Sequence, residues 1–205
     1  MHLEILSEQQ LELLHFIAKF KRSFYLVGGT AIALQIGHRR SIDFDLFTAQ
    51  KLNKSRIRQK VFELPYSKKT LFDDVDQAHF YINEVKTTFF LYPYPVEHPE
   101  MLNNVISMPS LLSLAAMKAF ALGRRAKWKD YVDLCFMLKD YFSVKEISME
   151  ADRIFGQLFS EKLFRSQIAF HKDIDYSESV EYLPGFEIGE QEIKEFLIDK
   201  ALQEI

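Results

Sequence analysis

Phe24-Tyr25-Leu26-Val27 runs directly into Gly28-Gly29-Thr30, and that junction constrains the fold more than any other stretch of the chain. Four consecutive apolar and aromatic residues read as a short buried strand. The glycine pair ends it, because glycine takes up backbone angles that side chains resist. Thr30 to Gln35 then reads as a helix, with Gly37 placed to close it. Ser41 to Phe47 returns to an extended pattern. Strand, tight turn, helix and strand in quick succession point to an α/β (α+β) arrangement. The turn also has chemistry. Backbone N–H groups at the start of a helix carry partial positive charge and attract phosphate, and glycine lets the phosphate come close.

The second strand, Ser41-Ile42-Asp43-Phe44-Asp45-Leu46-Phe47, carries two acids. Side chains alternate along a strand, so Asp43 and Asp45 are expected on one face, with Ile42, Phe44 and Leu46 burying the other. Carboxylates roughly 7 Å apart suit a hard divalent cation, Mg²⁺ or Mn²⁺, whose shell is completed by water and phosphate oxygens. Taken alone, Asp-x-Asp fits an exposed strand with two solvated acids better. Following a phosphate cradle, it holds a triphosphate and a metal in one place.

Elsewhere, Ser7 to Phe20 reads as an opening helix with Leu11, Leu14, His15, Ala18 and Phe20 near one face, and Lys54 to Phe62 as a basic helix. His79–Ile82 and Val85–Leu91 flank Asn83-Glu84 as a hairpin. Tyr92-Pro93-Tyr94-Pro95 breaks the sheet, because prolines cannot continue a paired strand. Beyond it the pattern turns helical. Ser107-Met108-Pro109 is expected to open one helix, Lys129 to Tyr141 to form another, Ser143 with Glu146 to cap a third, and Glu190 to Ile205 to close the chain. The plan is an α/β core over residues 1–100 and a helical region over 101–205.

With 48% hydrophobic and 27% charged residues, and 19 Phe, the chain can bury an aromatic core. The net charge of −3 gives no global signature for nucleic acid. Lys51, Lys54, Arg56, Arg58, Lys60, Lys68 and Lys69 nevertheless form one basic run, and Arg124, Arg125, Lys127 and Lys129 another. Either also fits a solvated face. The single Cys135 reads as a buried thiol, and no histidine and cysteine stand at zinc-ligand spacing. No basic leader or membrane-length apolar run is present in the sequence, so a cytoplasmic protein without membrane contact is expected.

Gly28-Gly29-Thr30 followed by His38-Arg39-Arg40-Ser41-Ile42-Asp43-Phe44-Asp45 resembles the first signature of the AbiEii/AbiGii toxin-like nucleotidyltransferases, within the polymerase-β-like class. Ala115-Ala116-Met117-Lys118, Gly123-Arg124-Arg125 and Lys129-Asp130-Tyr131-Val132-Asp133-Leu134 resemble the second. The resemblance implies a small mixed sheet with flanking helices, and a helical C-terminal region completing the active site. It implies transfer of an NMP from an NTP to a hydroxyl acceptor, with the tRNA 3′ end or another RNA as candidate and a cognate antitoxin as partner. Asp43 and Asp45 would hold the metal and act with Lys118 and Asp130 in catalysis. Gly28, Gly29, Thr30, Arg39 and Lys118 would contact phosphate, although Arg39 and Arg40 suit tying down the Asp43 strand equally well. Asp133, Arg124 and Arg125 are left with acceptor or structural roles. Thr88 stands where many such enzymes carry a third carboxylate, and threonine is neither an anionic ligand nor an effective base. That substitution keeps a second reading open: a nucleotide- or partner-binding protein of the same fold with weak or lost transfer.

Overall fold

The computed structural model of the protein describes residues 1–203. Glu8–Ile17 forms α1, with single tighter turns at Leu3–Ile5 and Ala18–Phe20. The Ser7 hydroxyl accepts from the Gln10 amide at 3.2 Å, and the Gln10 side chain accepts from the Ser7 amide at 3.0 Å. This reciprocal cap starts α1 where the sequence placed it. Its buried side is Gln10, Leu13, Phe16 and Ile17, whereas Leu11, expected inside, is 44% exposed. Aromatic neighbours decide the rotation. Phe16 meets Phe20 edge to face at 5.2 Å, and Phe20 lies 4.8 Å from Phe89.

Tyr25–Val27 is β1, Gly28–Ile36 is α2, Phe44–Thr48 is β2 and Lys54–Phe62 is α3. Gly37 closes α2 in the left-handed region, at φ 81°. Lys68–Asp74 (β3), Gln77–Ile82 (β4) and Val85–Leu91 (β5) complete a sheet of order β1-β2-β5-β4-β3. β2 and β5 run parallel, and the other neighbours antiparallel. The expected hairpin turns on Asn83 and Glu84, at φ 49° and 64°, the signs a two-residue hairpin turn requires. β3 has no counterpart in the sequence reading. It is a charged, mostly exposed edge strand, which weakens the alternation by which strands are recognised. One sheet face carries Phe44, Leu46, Ala78, Phe80, Ile82 and Phe89, all buried.

Glu100–Leu102 (β6) and Ile106–Met108 (β7) pair with each other where a helix was expected from Ser107. Strands of three residues are too short to show a period. Pro109 therefore follows a strand, and Ser110 caps α4 (Leu111–Leu122) by accepting from the Ser113 amide at 3.2 Å. Trp128–Asp140 is α5, Val144–Phe155 α6, Glu161–Ile168 α7 and Glu190–Leu202 α8. The Ser143–Glu146 capping box forms as expected, while α7 was not anticipated. The final helix, expected to reach Ile205, stops at Leu202, and Glu204 and Ile205 lie outside the described residues.

The chain makes two compact units. The first comprises Met1–Gly37 and Ser41–Pro109 and holds the sheet; the second comprises His38–Arg40 and the chain from Ser110 onward and holds α4 to α8. Within the second unit the Arg40 amide donates to the Glu181 carbonyl at 2.8 Å and the Leu183 amide to the His38 carbonyl at 3.1 Å. Cys135 is fully buried, and burial pushes its thiol up to about 12. Among the described residues no helix is long and apolar enough to cross a membrane.

Candidate active site

Val27 of β1 pairs with Asp45 of β2, which brings the start of α2 against the Asp45 carboxylate. Gly28 has φ 74°, and a Cβ built there would stand 2.5 Å from Asp45 Oδ2. Glycine alone meets both demands, the left-handed backbone and the close approach. The carboxylate is half-buried and makes no hydrogen bond or ion pair among the described residues. Gly28, Gly29 and Thr30 form the first turn of α2, whose amides have no partners within the helix.

Asp43 reaches this corner by another route. β2 begins only at Phe44, and Ile42, expected on the buried face, is 65% exposed. Strand alternation therefore places Asp45 but not Asp43. Thr30 holds the segment instead: it is buried, its hydroxyl lies 2.9 Å from Ser41 Oγ, and it donates to the Asp43 carbonyl. The Thr30 side chain thus positions Asp43, which leaves its first-turn amide to face a ligand. A half-buried Asp45 carboxylate beside a helix N-terminus, with half-buried Asp43 held two residues away through its carbonyl, suits Mg²⁺ or Mn²⁺ with phosphate oxygens in the shell. Among the described residues no group of three or more His, Cys, Asp or Glu is gathered as a metal site.

Asp45 pairs with Thr88 of β5, and Thr88 with His79 of β4, so the three form one row on one face. Thr88 stands at the expected register, and Glu84 lies away in the turn. His79 was missed, although its place is legible. A two-residue turn at Asn83-Glu84 pairs Ile82 with Val85 and, counting back, His79 with Thr88. Burial and then the Lys86 charge lower the His79 pKa against the pull of Asp45, so the ring is neutral at pH 7. Its Nε2 lies 3.0 Å from Gln77 Oε1.

The second unit gathers the other predicted residues in a closed cluster. Arg39 is buried and grips Asp133 with two nitrogens, at 2.7 and 2.9 Å. Lys118 Nζ lies 2.7 Å from Asp130 Oδ1 and 2.9 Å from Asp133 Oδ2. His38 Nε2 lies 2.8 Å from Asp133 Oδ1, and Arg125 Nε donates to Asp130 Oδ2 at 2.9 Å. Burial by itself would pull the Lys118 ammonium down, but the two carboxylates outweigh it and hold its pKa above the usual value. Burial likewise opposes ionisation of Asp133, yet Arg39 and Lys118 keep it well below the carboxylate range, and Asp130 is lowered for the same reason by Lys118 and Arg125. His38 is lowered by burial despite Asp133. Asp130 and Asp133, one turn apart on α5, thus share a single lysine in the interior.

The basic runs are partly neutralised. Lys54 and Arg58 bond to Asp73, and Lys127 and Lys129 to Glu178. Arg124 stacks 3.7 Å from the centre of the Phe120 ring and donates to the Phe120 carbonyl at 2.9 Å. With Arg125, Tyr131, Gln167 and Phe170 it lines a cleft of about 420 Å³.

The mixed five-stranded sheet sets a carboxylate against a glycine-opened helix. The chain belongs to the AbiEii family, described as "Nucleotidyl transferase AbiEii toxin, Type IV TA system", which residues 13–203 match. It is accordingly a nucleotidyltransferase toxin of a toxin–antitoxin system. Protein aq_aa25 of Aquifex aeolicus (strain VF5) is 31% identical over 197 residues, covering 93% of this chain and 87% of that one. In fold, the chain resembles MenT4, a nucleotidyltransferase toxin of Mycobacterium tuberculosis H37Rv, with a TM-score of 0.62 at 10% identity over 95% of this chain and 82% of that one. JHP933 from Helicobacter pylori gives a TM-score of 0.58 at 19% identity over 96% and 91%.

Proposed function

We propose that the protein moves a nucleoside monophosphate from an NTP to a hydroxyl of an RNA acceptor, with the tRNA 3′ end as the expected target and Asp43 and Asp45 as metal ligands. The observation that carries this reading is the Asp45 carboxylate, which has no protein partner among the described residues and stands against the Gly28 turn. A bound Mg²⁺ or Mn²⁺ would supply charge neutralisation for the triphosphate and the leaving pyrophosphate. The first-turn amides of α2 hold phosphate oxygens, and Thr30 keeps Asp43 in place. The acceptor oxygen bonds to the α-phosphorus, the α–β bridging bond breaks, and pyrophosphate leaves with its electron pair. His79, neutral and in the row of Asp45, takes the hydroxyl proton that Thr88 cannot accept. Lys118, Asp130 and Arg39 enter this reading through the family resemblance, as do a cognate antitoxin and a cytoplasmic setting.

Purified protein, Mg²⁺, each α-labelled NTP in turn and total tRNA make the test, beside an Asp43→Ala/Asp45→Ala variant. Label on RNA that vanishes in the variant supports transfer and names the nucleotide; no label with any NTP sinks the RNA assignment. Lys118→Met, scored per folded molecule, is expected to lose label, and full retention would confine Lys118 to packing. Thr88 in the carboxylate position favours one other reading, a nucleotide-binding protein with weak transfer, which predicts NTP binding without turnover.

A further inference from the structure

The first unit contains a second cleft, of about 220 Å³, that the transfer reaction does not yet use. Its wall includes Tyr25, Tyr94 and His98, with Lys21 and Arg22 at its basic side. The Tyr25 and His98 rings are stacked, 4.7 Å apart and 10° from parallel. Tyr25 is 5% exposed, and its buried hydroxyl has no hydrogen-bond partner among the described residues. A buried phenol donor without an acceptor is unusual, and it marks a place where a ligand can supply one. Lys21 and Arg22 are exposed and make no ion pair among the described residues, and Lys21 donates to the Asn104 carbonyl at 3.4 Å.

The cleft shares the sheet face of Asp45. Tyr25 pairs with Phe47, and Val27 with Asp45, so the two rows are neighbours on one side of the sheet, roughly 7 Å apart. Aromatic walls, a waiting donor and two exposed cations without a carboxylate partner among the described residues are the parts of a single-stranded nucleic-acid subsite, where rings stack on a base and cations follow the backbone. A mononucleotide bound at Asp43 and Asp45 already has its phosphates there, so Lys21 and Arg22 would have nothing to hold. In a polynucleotide the backbone continues outward past the base.

We propose that this cleft binds one nucleotide of the single-stranded end of the RNA acceptor. Its base lies among Tyr25, Tyr94 and His98, a base atom accepts a hydrogen bond from the Tyr25 hydroxyl, and the adjoining phosphate meets Lys21 and Arg22. The inference rests on the RNA-acceptor reading above and adds the place where the acceptor is gripped.

The test measures binding of a fluorescent ten-nucleotide single-stranded RNA, and separately of a fluorescent NTP with Mg²⁺, to the full chain and two variants. Tyr25→Phe removes only the hydroxyl and is expected to weaken RNA binding about fivefold, with thermal stability and NTP affinity unchanged. Lys21→Ala/Arg22→Ala is expected to weaken it further and to flatten its salt dependence by about one phosphate contact. RNA binding unchanged within twofold in both variants overturns the cleft while leaving the acceptor reading intact. Loss of NTP affinity with RNA binding intact overturns it too, by giving the cleft to the NTP base. An unaltered protein that binds no RNA overturns the acceptor reading and the cleft with it.

Discussion

Asp45 and Asp133 are both aspartates on regular elements, and the protein treats them in opposite ways. Asp45 sits half-buried against Gly28 with no protein partner among the described residues, in a corner where a side chain on Gly28 would be strained and would crowd the carboxylate. Asp133 is fully buried and takes bonds from His38, Arg39 and Lys118. The first arrangement leaves a charge for something outside the chain to meet; the second satisfies every charge it buries. What separates the two regions is whether the charges already have partners, since both hold acids and both matched the family pattern.

That contrast makes the Asp133 cluster the place of largest stability loss. Asp133→Ala strands Arg39 in the interior, leaves Lys118 with Asp130 alone, and is expected to cost roughly 3–5 kcal/mol, read as a fall in the urea midpoint. A loss below about 1 kcal/mol would mean that the cluster behaves like a surface ion pair. Asp45→Asn should do the reverse, lowering transfer by about 10²–10³ while Tm stays put. A marked drop in Tm would show that Asp45 has a structural partner after all.

Gly28→Ala probes the corner itself. The left-handed backbone strains any side chain by about 1–2 kcal/mol, and the new methyl must displace Asp45 Oδ2. Transfer should fall at least about tenfold, more than the stability change explains; an unaffected rate would show that the corner tolerates a side chain.

The smallest effect is the pH dependence of the cluster. Asp133 and Asp130 are lowered in the folded state, so their contribution is complete above about pH 3.9 and is lost as pH falls through their folded values. His38 is lowered as well, so stability begins to decline below about pH 6.5 as the unfolded chain takes up its proton first. Lys118 is raised, so its contribution holds below about pH 10.4 and is lost as pH climbs through its folded value. The urea midpoint should therefore be level from about pH 7 to 8 and decline above about pH 8.5, where the unfolded Cys135 thiol loses its proton and the buried one keeps it. A maximum near pH 5 would contradict a neutral, buried His38.

Much of the sheet could be read from local pattern. The Gly28 turn, the Gly37 stop, the Asn83-Glu84 hairpin and the Ser143 cap are decided by neighbours a few residues away, and all appear where expected. The Thr88 register follows from the hairpin and the parallel pairing with β2. Longer-range choices were less visible. α1 rotates toward Phe89, more than sixty residues on, so its own periodicity could not name the buried face. The β6–β7 pair is too short to carry a period, and β3 is masked by its charges.

By itself the sequence determined the Gly28 turn and the strand that carries Asp45, because glycine angles and side-chain alternation act within a few residues. The tertiary structure alone decided which charges stay open. Asp43 depends on Thr30, and the neutralisation of Lys118, Arg39 and Asp133 depends on residues up to ninety-five positions apart. Burial and pairing are properties of space, and no local pattern records them.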